Sequence, residues 1–433
     1  MATAATAALV IGHAVLAVRN PLIDLALAVL CVFAFFPPVC RAILIGAVAV
    51  GATFNPPVLG LGASGGGGVV GGRVYVVQAL LVLVIIGAIA FALRSDLRWT
   101  ALLVVASATS IVLLQTVGRP HAGPAWTYRP LQLFLVAFAV RVLFKGRDHR
   151  RLLMALAWGS AVGCALASIH ALAPTFDPFS LTRPDDQPFQ SLIGSFARAT
   201  GAFTYPNNLG TFAAYVVLLG SAALLLGRPI LPRPLAIFVV TAGGSALLLS
   251  GSRAAGFGLL CGLLYLTIKL GPRRRSLILA TEAFVGLVIV LAVLSSPSAA
   301  EVAQQRIDTA AGESLVLRLE GSRTAYEAFR SSPVIGTGAS EGRTDNFWLL
   351  YLSQGGVVGA AFYVLLARTS LRPGRHEKAC PELWVAVLIA LGTSGLLQDS
   401  LGQTLATWFP GVLLGICALA PAADSEEVAG EPG

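Results

Sequence analysis

Five polar residues stand where an otherwise apolar chain could do chemistry: Asn207, Arg253, Arg318, Asp345 and Asn346. Asp345 and Asn346 directly precede a hydrophobic segment that begins at Phe347. A carboxylate at the mouth of a membrane helix is costly unless it is hydrated, paired or used. A positioned carboxylate can take a proton from a hydroxyl group. Both residues are also good helix N-caps, and an acid there complements the helix dipole. Arg253 lies in "LLLSGSRAAGFGLL", between two apolar runs with almost no loop. A charge held there faces either lipid headgroups or a polar cavity. Arg318 precedes "LEGSRTAYEAFRS" in the longest polar region, and its planar guanidinium suits bidentate binding of phosphate. Asn207 follows Pro206 in "GAFTYPNNLGTFAAY". Pro206 can open a helix there, with Asn207 and Asn208 capping or lining its end.

The elements that must position these residues follow from composition. The chain has 433 residues, of which 56% are hydrophobic and 12% charged, and its mean hydropathy is +0.79. Soluble domains carry about twice that charged fraction. In a bilayer the backbone must satisfy its own hydrogen bonds, which leaves helices or a closed barrel. The apolar runs are continuous and lack period-two alternation, so they predict an all-α, polytopic membrane protein. Candidate spans are 3–18, 22–36, 41–54, 74–93, 99–117, 130–145, 152–173, 206–226, 235–250, 254–269, 277–295, 346–367, 382–397 and 404–421. The first three are short, so about 12–14 transmembrane helices are expected, with a long, partly helical external loop.

Charge sets the expected orientation. Arg41, Arg94, Arg98, Lys145, Arg147, Arg150, Arg151, Arg228, Arg233, Lys269, Arg273–Arg275, Arg368, Arg372, Arg375 and Lys378 cluster in alternate compact loops. That side is read as cytoplasmic. All three lysines fall there, and every basic residue assigned to the other side is Arg. The expected organisation is N-terminal helices over 1–205, central helices with the Ser-Arg turn over 206–295, the external loop over 296–345, C-terminal helices over 346–421, and an acidic, disordered cytoplasmic tail over 422–433. Within the loop, residues 313–331 place Leu315, Leu319, Tyr326 and Phe329 at near-helical spacing. Glu320, Arg323, Glu327 and Arg330 fall on the opposite side, with Arg323 and Glu327 an i,i+4 pair. This predicts an amphipathic helix on the outer membrane surface, ended by Pro333 and the glycines after it.

Several other chemistries find no support. The net charge of +9 follows the loop arginines, and no nucleic-acid module is recognisable. The Gly-rich stretch 55–73 lacks the Lys-Ser/Thr ending of a phosphate-cradling loop. Six scattered cysteines and five dispersed histidines make neither a disulfide framework nor a metal-ligand spacing. The N-terminus has no basic region of a cleaved signal, so residues 1–18 read as a first membrane helix.

Taken together, four blocks resemble the O-antigen ligase/O-antigen polymerase superfamily of polytopic membrane glycosyltransferases. In order they are "GAFTYPNNLGTFAAYVVLL", "LLLSGSRAAGFGLL", "RLEGSRTAYEAFRSSPVIGTG" and "DNFWLLYLSQGGVVG". They are similar to the family's Pro-Asn-x-Leu-Gly helix start, its Ser-x-Ser-Arg turn, its Arg-Leu run ending in Pro-Leu-x-Gly-x-Gly, and its His-Asn block. The resemblance covers about residues 200–366. It implies a helical enzyme in the cytoplasmic (inner) membrane with its site on the extracytoplasmic side. The implied donor is a glycan on a polyprenyl diphosphate, and the acceptor is a hydroxyl of a glycan or lipid. By position, Arg253 and Arg318 match the family arginines expected near the diphosphate, and Asn346 matches the Asn of the His-Asn pair. The His itself is replaced by Asp345. "TDNFWLLYL" also looks like the Thr-Asp-Phe stretch of the related peptidoglycan-polymerising family. The resemblance therefore implies Asp345 as base, with Asn346 and Asn207 lining the site, or else a divergent member with altered chemistry.

The expected reaction is inverting and metal-independent, without a cofactor. No close Asp-x-Asp pair is available externally, and fixed guanidinium groups can stabilise a diphosphate leaving group. Two other functions share the hydropathy. A lipid-linked sugar transporter or flippase predicts inverted repeats and mid-membrane charges. No repeat is visible, and the intramembrane charges are few: Asp24, Arg141 and Glu282. A non-catalytic scaffold of an envelope-assembly complex stays open because of the Asp-for-His change.

Overall fold

The computed structural model describes residues 37–53, 57–60, 73–116, 125–144, 149–173, 175–176, 178–179, 192–193, 196–203, 206–226, 230–269, 315–338, 346–371, 380–397 and 404–417. Among them are twelve helices. The first five are α1 (Pro37–Thr53), α2 (Val76–Leu93), α3 (Arg98–Thr116), α4 (Ala125–Leu143) and α5 (His149–Leu172). A central group follows: α6 (Pro206–Leu225), α7 (Arg233–Ser250) and α8 (Arg253–Ile268). The last four are α9 (Leu315–Ser331), α10 (Phe347–Leu371), α11 (Pro381–Leu397) and α12 (Thr404–Cys417). Eleven of these coincide with expected spans, and α9 is the helix expected in the loop. The spans expected at 3–18, 22–36 and 277–295 lie outside the described residues.

Two short antiparallel hairpins accompany the helices. Strands β1 (Pro57–Gly60) and β2 (Arg73–Tyr75) pair Pro57 with Tyr75 and Gly60 with Arg73, so the ends of the Gly-rich stretch are held together. Strands β3 (Leu192–Ile193) and β4 (Phe196–Ala197) form a tighter pair. Neither hairpin alters the all-helical architecture.

Helix α6 is the hub. It packs on α7, α8, α11 and α12, and buries Phe212, Tyr215, Leu218 and Leu219 completely or nearly so. Helices α8 and α11 run antiparallel and approach closely, because Gly258 lies against the backbone of Ala390 and Gly262 against that of Ala386. Small residues at such crossings let backbones meet where lipid supplies no hydrophobic drive between helices. Helix α10 rests on α3 and α4. There the Arg141 Nη1 of α4 donates to the carbonyl of Thr369 (2.9 Å) in the last turn of α10. A cation at a helix C-terminus meets the negative end of its dipole. Arg141, an intramembrane charge in the sequence, is thus part of the helix packing.

Helix α9 carries the i,i+4 ion pair expected of it, but Leu319 and Tyr326, expected opposite the charges, are exposed on the same face as Arg323 and Arg330, one helical turn away. Arg323 Nε donates to Glu327 Oε1 at 2.9 Å. The hydrogen bond and charge of Glu327, with Glu320 adding, raise the Arg323 pKa. Both partners are exposed, so this pair contributes little to stability.

Candidate active site

The first part of the site is the two-residue turn between α7 and α8. Gly251 ends α7 in the left-handed conformation (φ 61°, ψ 27°), and its N–H donates to the carbonyls of Leu247 and Leu248. The Ser250 hydroxyl donates to the Leu247 carbonyl (2.7 Å) and accepts the N–H of Ser252 (3.3 Å). Ser252 is the N-cap of α8, its hydroxyl accepting from the Ala255 N–H (3.4 Å). Both serines are buried, whereas Arg253, the first helical residue, is exposed. "SGSR" therefore divides its labour: Ser-Gly-Ser builds a rigid corner, and the corner holds out the arginine.

A cation at a helix N-terminus is in the wrong place for that helix. Exposed charges there shift stability by about 0.3–1 kcal/mol, and a positive one is on the unfavourable side. The N–H groups that open the helix and the guanidinium reinforce each other as an anion-attracting end.

The corner is clamped to α6. Arg198 Nε donates to the Ser250 carbonyl (2.6 Å), and its Nη2 donates to Asn207 Oδ1 (2.9 Å). The neighbouring Ala199 N–H takes the Leu249 carbonyl (3.0 Å). One guanidinium thus covers the C-terminus of α7 and fixes Asn207 in the first turn of α6. Gly210, one turn further along α6, lies directly against Ser252, where any side chain would collide. The Pro-Asn-x-Leu-Gly and Ser-x-Ser-Arg blocks are therefore two faces of one contact. In the sequence Arg198 is one external arginine among many. Its partners lie nine and 52 residues away, so no local spacing marks it.

The second part surrounds the start of α10. Asn346 is the N-cap, its Oδ1 accepting from the Leu349 N–H (3.1 Å). Its side-chain oxygen is engaged by the helix it opens. Phe347 stacks edge-on with Trp348 and Tyr351, and the Trp348 indole N–H donates to the Gly392 carbonyl in α11 (3.1 Å). Gly395 of α11 lies against Phe347, and Ser394 against Gly258 of α8. The C-terminal end of α11 therefore brings the starts of α8 and α10, and with them Arg253 and Asn346, to one end of the bundle. Asp345 lies outside the described residues. Arg318 is placed in α9 by its backbone, and its side chain lies outside the description.

The third part joins α9 to α10. After α9 the chain turns at Pro333 and runs along α10, with Thr337 N–H donating to the Ser353 carbonyl (2.8 Å) and Gly338 N–H to that of Gln354 (3.0 Å). In return the Val357 and Val358 N–H groups donate to the carbonyls of Pro333 (2.9 Å) and Val334 (3.0 Å). Helix α10 is broken at Gly356 (φ 60°, ψ −163°) to receive this segment. The Pro-Val-Ile-Gly-Thr-Gly and Gly-Gly stretches of the third and fourth blocks are the two halves of that joint.

Residues 236–364 match the family model described as O-antigen ligase. The match runs from α7 to α10 and includes the Ser-Arg corner, α9 and the broken helix. Over this segment the chain is similar to the O-antigen ligase family, which supports membership of that superfamily. No curated protein matches the chain. The matched segment sits in a multi-pass helical membrane protein. Arg253, Arg318, Asp345 and Asn346 fall inside the matched residues, while Arg198 and Asn207 precede them.

Proposed function

We propose that this protein transfers a glycan from a polyprenyl diphosphate to an acceptor hydroxyl at the outer face of the cytoplasmic membrane, in the assembly of cell-surface polysaccharide. Arg253 and Arg318 hold the donor diphosphate, Asp345 acts as base, and Asn207 and Asn346 line the site. Asp345 removes the acceptor proton, and the acceptor oxygen forms a bond to the anomeric carbon from the side opposite the leaving group. The anomeric C–O bond breaks, and its electron pair leaves on the diphosphate oxygen. Configuration at that carbon inverts. The charge that develops on the diphosphate meets guanidinium groups already in place, which need no reorganisation during the step.

The observation that carries this reading is the Ser250–Arg253 corner. It spends two buried serines, a left-handed glycine and the Arg198 clamp on presenting one exposed arginine at a helix N-terminus. An anion is the ligand that such an end recruits. Deleting the gene and analysing lipid-linked glycans tests the proposal. Accumulation of a polyprenyl-linked intermediate is expected, and unchanged intermediates would overturn it.

A further inference from the structure

The joint between α9 and α10 lies too far along α10 for an ordinary surface loop. Val357, which donates to the Pro333 carbonyl, is ten residues beyond Phe347. At 1.5 Å per residue that is about 15 Å, roughly half of a 30 Å hydrocarbon core. Trp348, exposed near the start of the helix, marks the interfacial level where such rings collect. Val357 and Val364, both on α10 and 58% and 66% exposed, face outward within the apolar length of this span. Val334 and Ile335, held at the level of Val357 by the backbone pairing, are 61% and 56% exposed.

We infer that the Pro333–Gly338 turn is a re-entrant element whose Val334 and Ile335 lie against lipid acyl chains, continuing the hydrocarbon-facing strip of α10. The strip ends at the turn, because on α9 the exposed Leu319 and Tyr326 share their face with Arg323 and Arg330, and the Arg323–Glu327 pair faces water or headgroups. Backbone accounting supports this placement. Irregular backbone at membrane depth survives only where protein groups satisfy it. Here the Gly336 N–H donates to Ser332, the Thr337 and Gly338 N–H groups to α10, and the Pro333 and Val334 carbonyls accept from α10. A loop in water has no need of these five bonds. A soluble protein partner cannot reach residues level with Val357, so the occupant is lipid.

The test uses the full-length protein in membranes of isotopically labelled phospholipid, with p-benzoylphenylalanine replacing Ile335. Replacement at Val364 is the positive control and at Glu327 the negative one. Photolysis is expected to give phospholipid adducts at position 335 in yield comparable to position 364 and several-fold above position 327. A yield at 335 no higher than at 327, or an adduct to another protein instead, would overturn the inference. If the Ile335 replacement fails to accumulate in membranes, replacement at Val334 carries the same two outcomes. The readout needs no glycan transfer, so it stands apart from the proposed reaction.

Discussion

Gly356→Ala should open the joint between α9 and α10, and the structure sets the size of the effect. The φ/ψ pair of 60°/−163° belongs to a region open essentially to glycine alone. An alanine there costs about 1–3 kcal/mol in backbone conformation. Its Cβ would also press on the Val334 carbonyl and on the Gly336 nitrogen at 2.6 Å, both backbone groups that cannot turn aside. Relief requires 333–338 to separate from 353–358. Separation gives up the four hydrogen bonds from Thr337, Gly338, Val357 and Val358, worth about 0.5–1.5 kcal/mol each, or roughly 2–6 kcal/mol together. A net shift near 3 kcal/mol raises the open population on the order of 10²-fold, at about 1.4 kcal/mol per decade. Hydrogen exchange by mass spectrometry in nanodiscs should show peptides over 332–338 and 353–358 exchanging faster by that factor. Gly359→Ala is the internal control. Nothing lies within 4 Å of a Cβ there, and the substitution should be silent. Unchanged protection in Gly356→Ala, or equal loss in Gly359→Ala, refutes the reasoning.

Asp345→Asn leaves the Asn346 cap in place and removes the proposed base, so transfer should fall on the order of 10²–10⁴-fold; near-normal turnover refutes the catalytic role. Arg318→Lys should be severely impaired because Lys lacks the bidentate fork, whereas Arg323→Lys, on the exposed face, should be tolerated. Transfer by purified, reconstituted protein should survive EDTA, and loss of activity restored by Mg²⁺ would show the donor site to be misread. Labelling of intact cells should modify Ser340→Cys and spare Ser276→Cys; equal labelling overturns the orientation. Arg198→Ala should lower the transfer rate and weaken donor binding with Arg253 intact, because Ser250 and Asn207 lose their shared donor. A variant matching the native protein in both would make the clamp dispensable.

Much of the architecture is legible in the chain because it rests on local properties. Each span from 41–54 onward that meets described residues announces itself as a continuous apolar run, since lipid rewards such a run whatever its neighbours are. The α9 helix and its Arg323–Glu327 pair are equally local, a matter of 3.6-residue periodicity and i,i+4 reach. The helix starts at Pro206 and Asn346 follow from capping chemistry confined to one turn. What required the tertiary structure is every contact whose partners are distant in sequence. Arg198 acquires its role only when α6 and α7 become neighbours. Arg141 changes from a stray membrane charge to a helix cap only when α4 meets the end of α10. In the sequence "SQGGVVG" is an ordinary small-residue stretch of a membrane helix. Which of its glycines breaks the helix is decided by the segment that docks there, and the backbone hydrogen bonds that draw it in join residues that no helical or strand period relates.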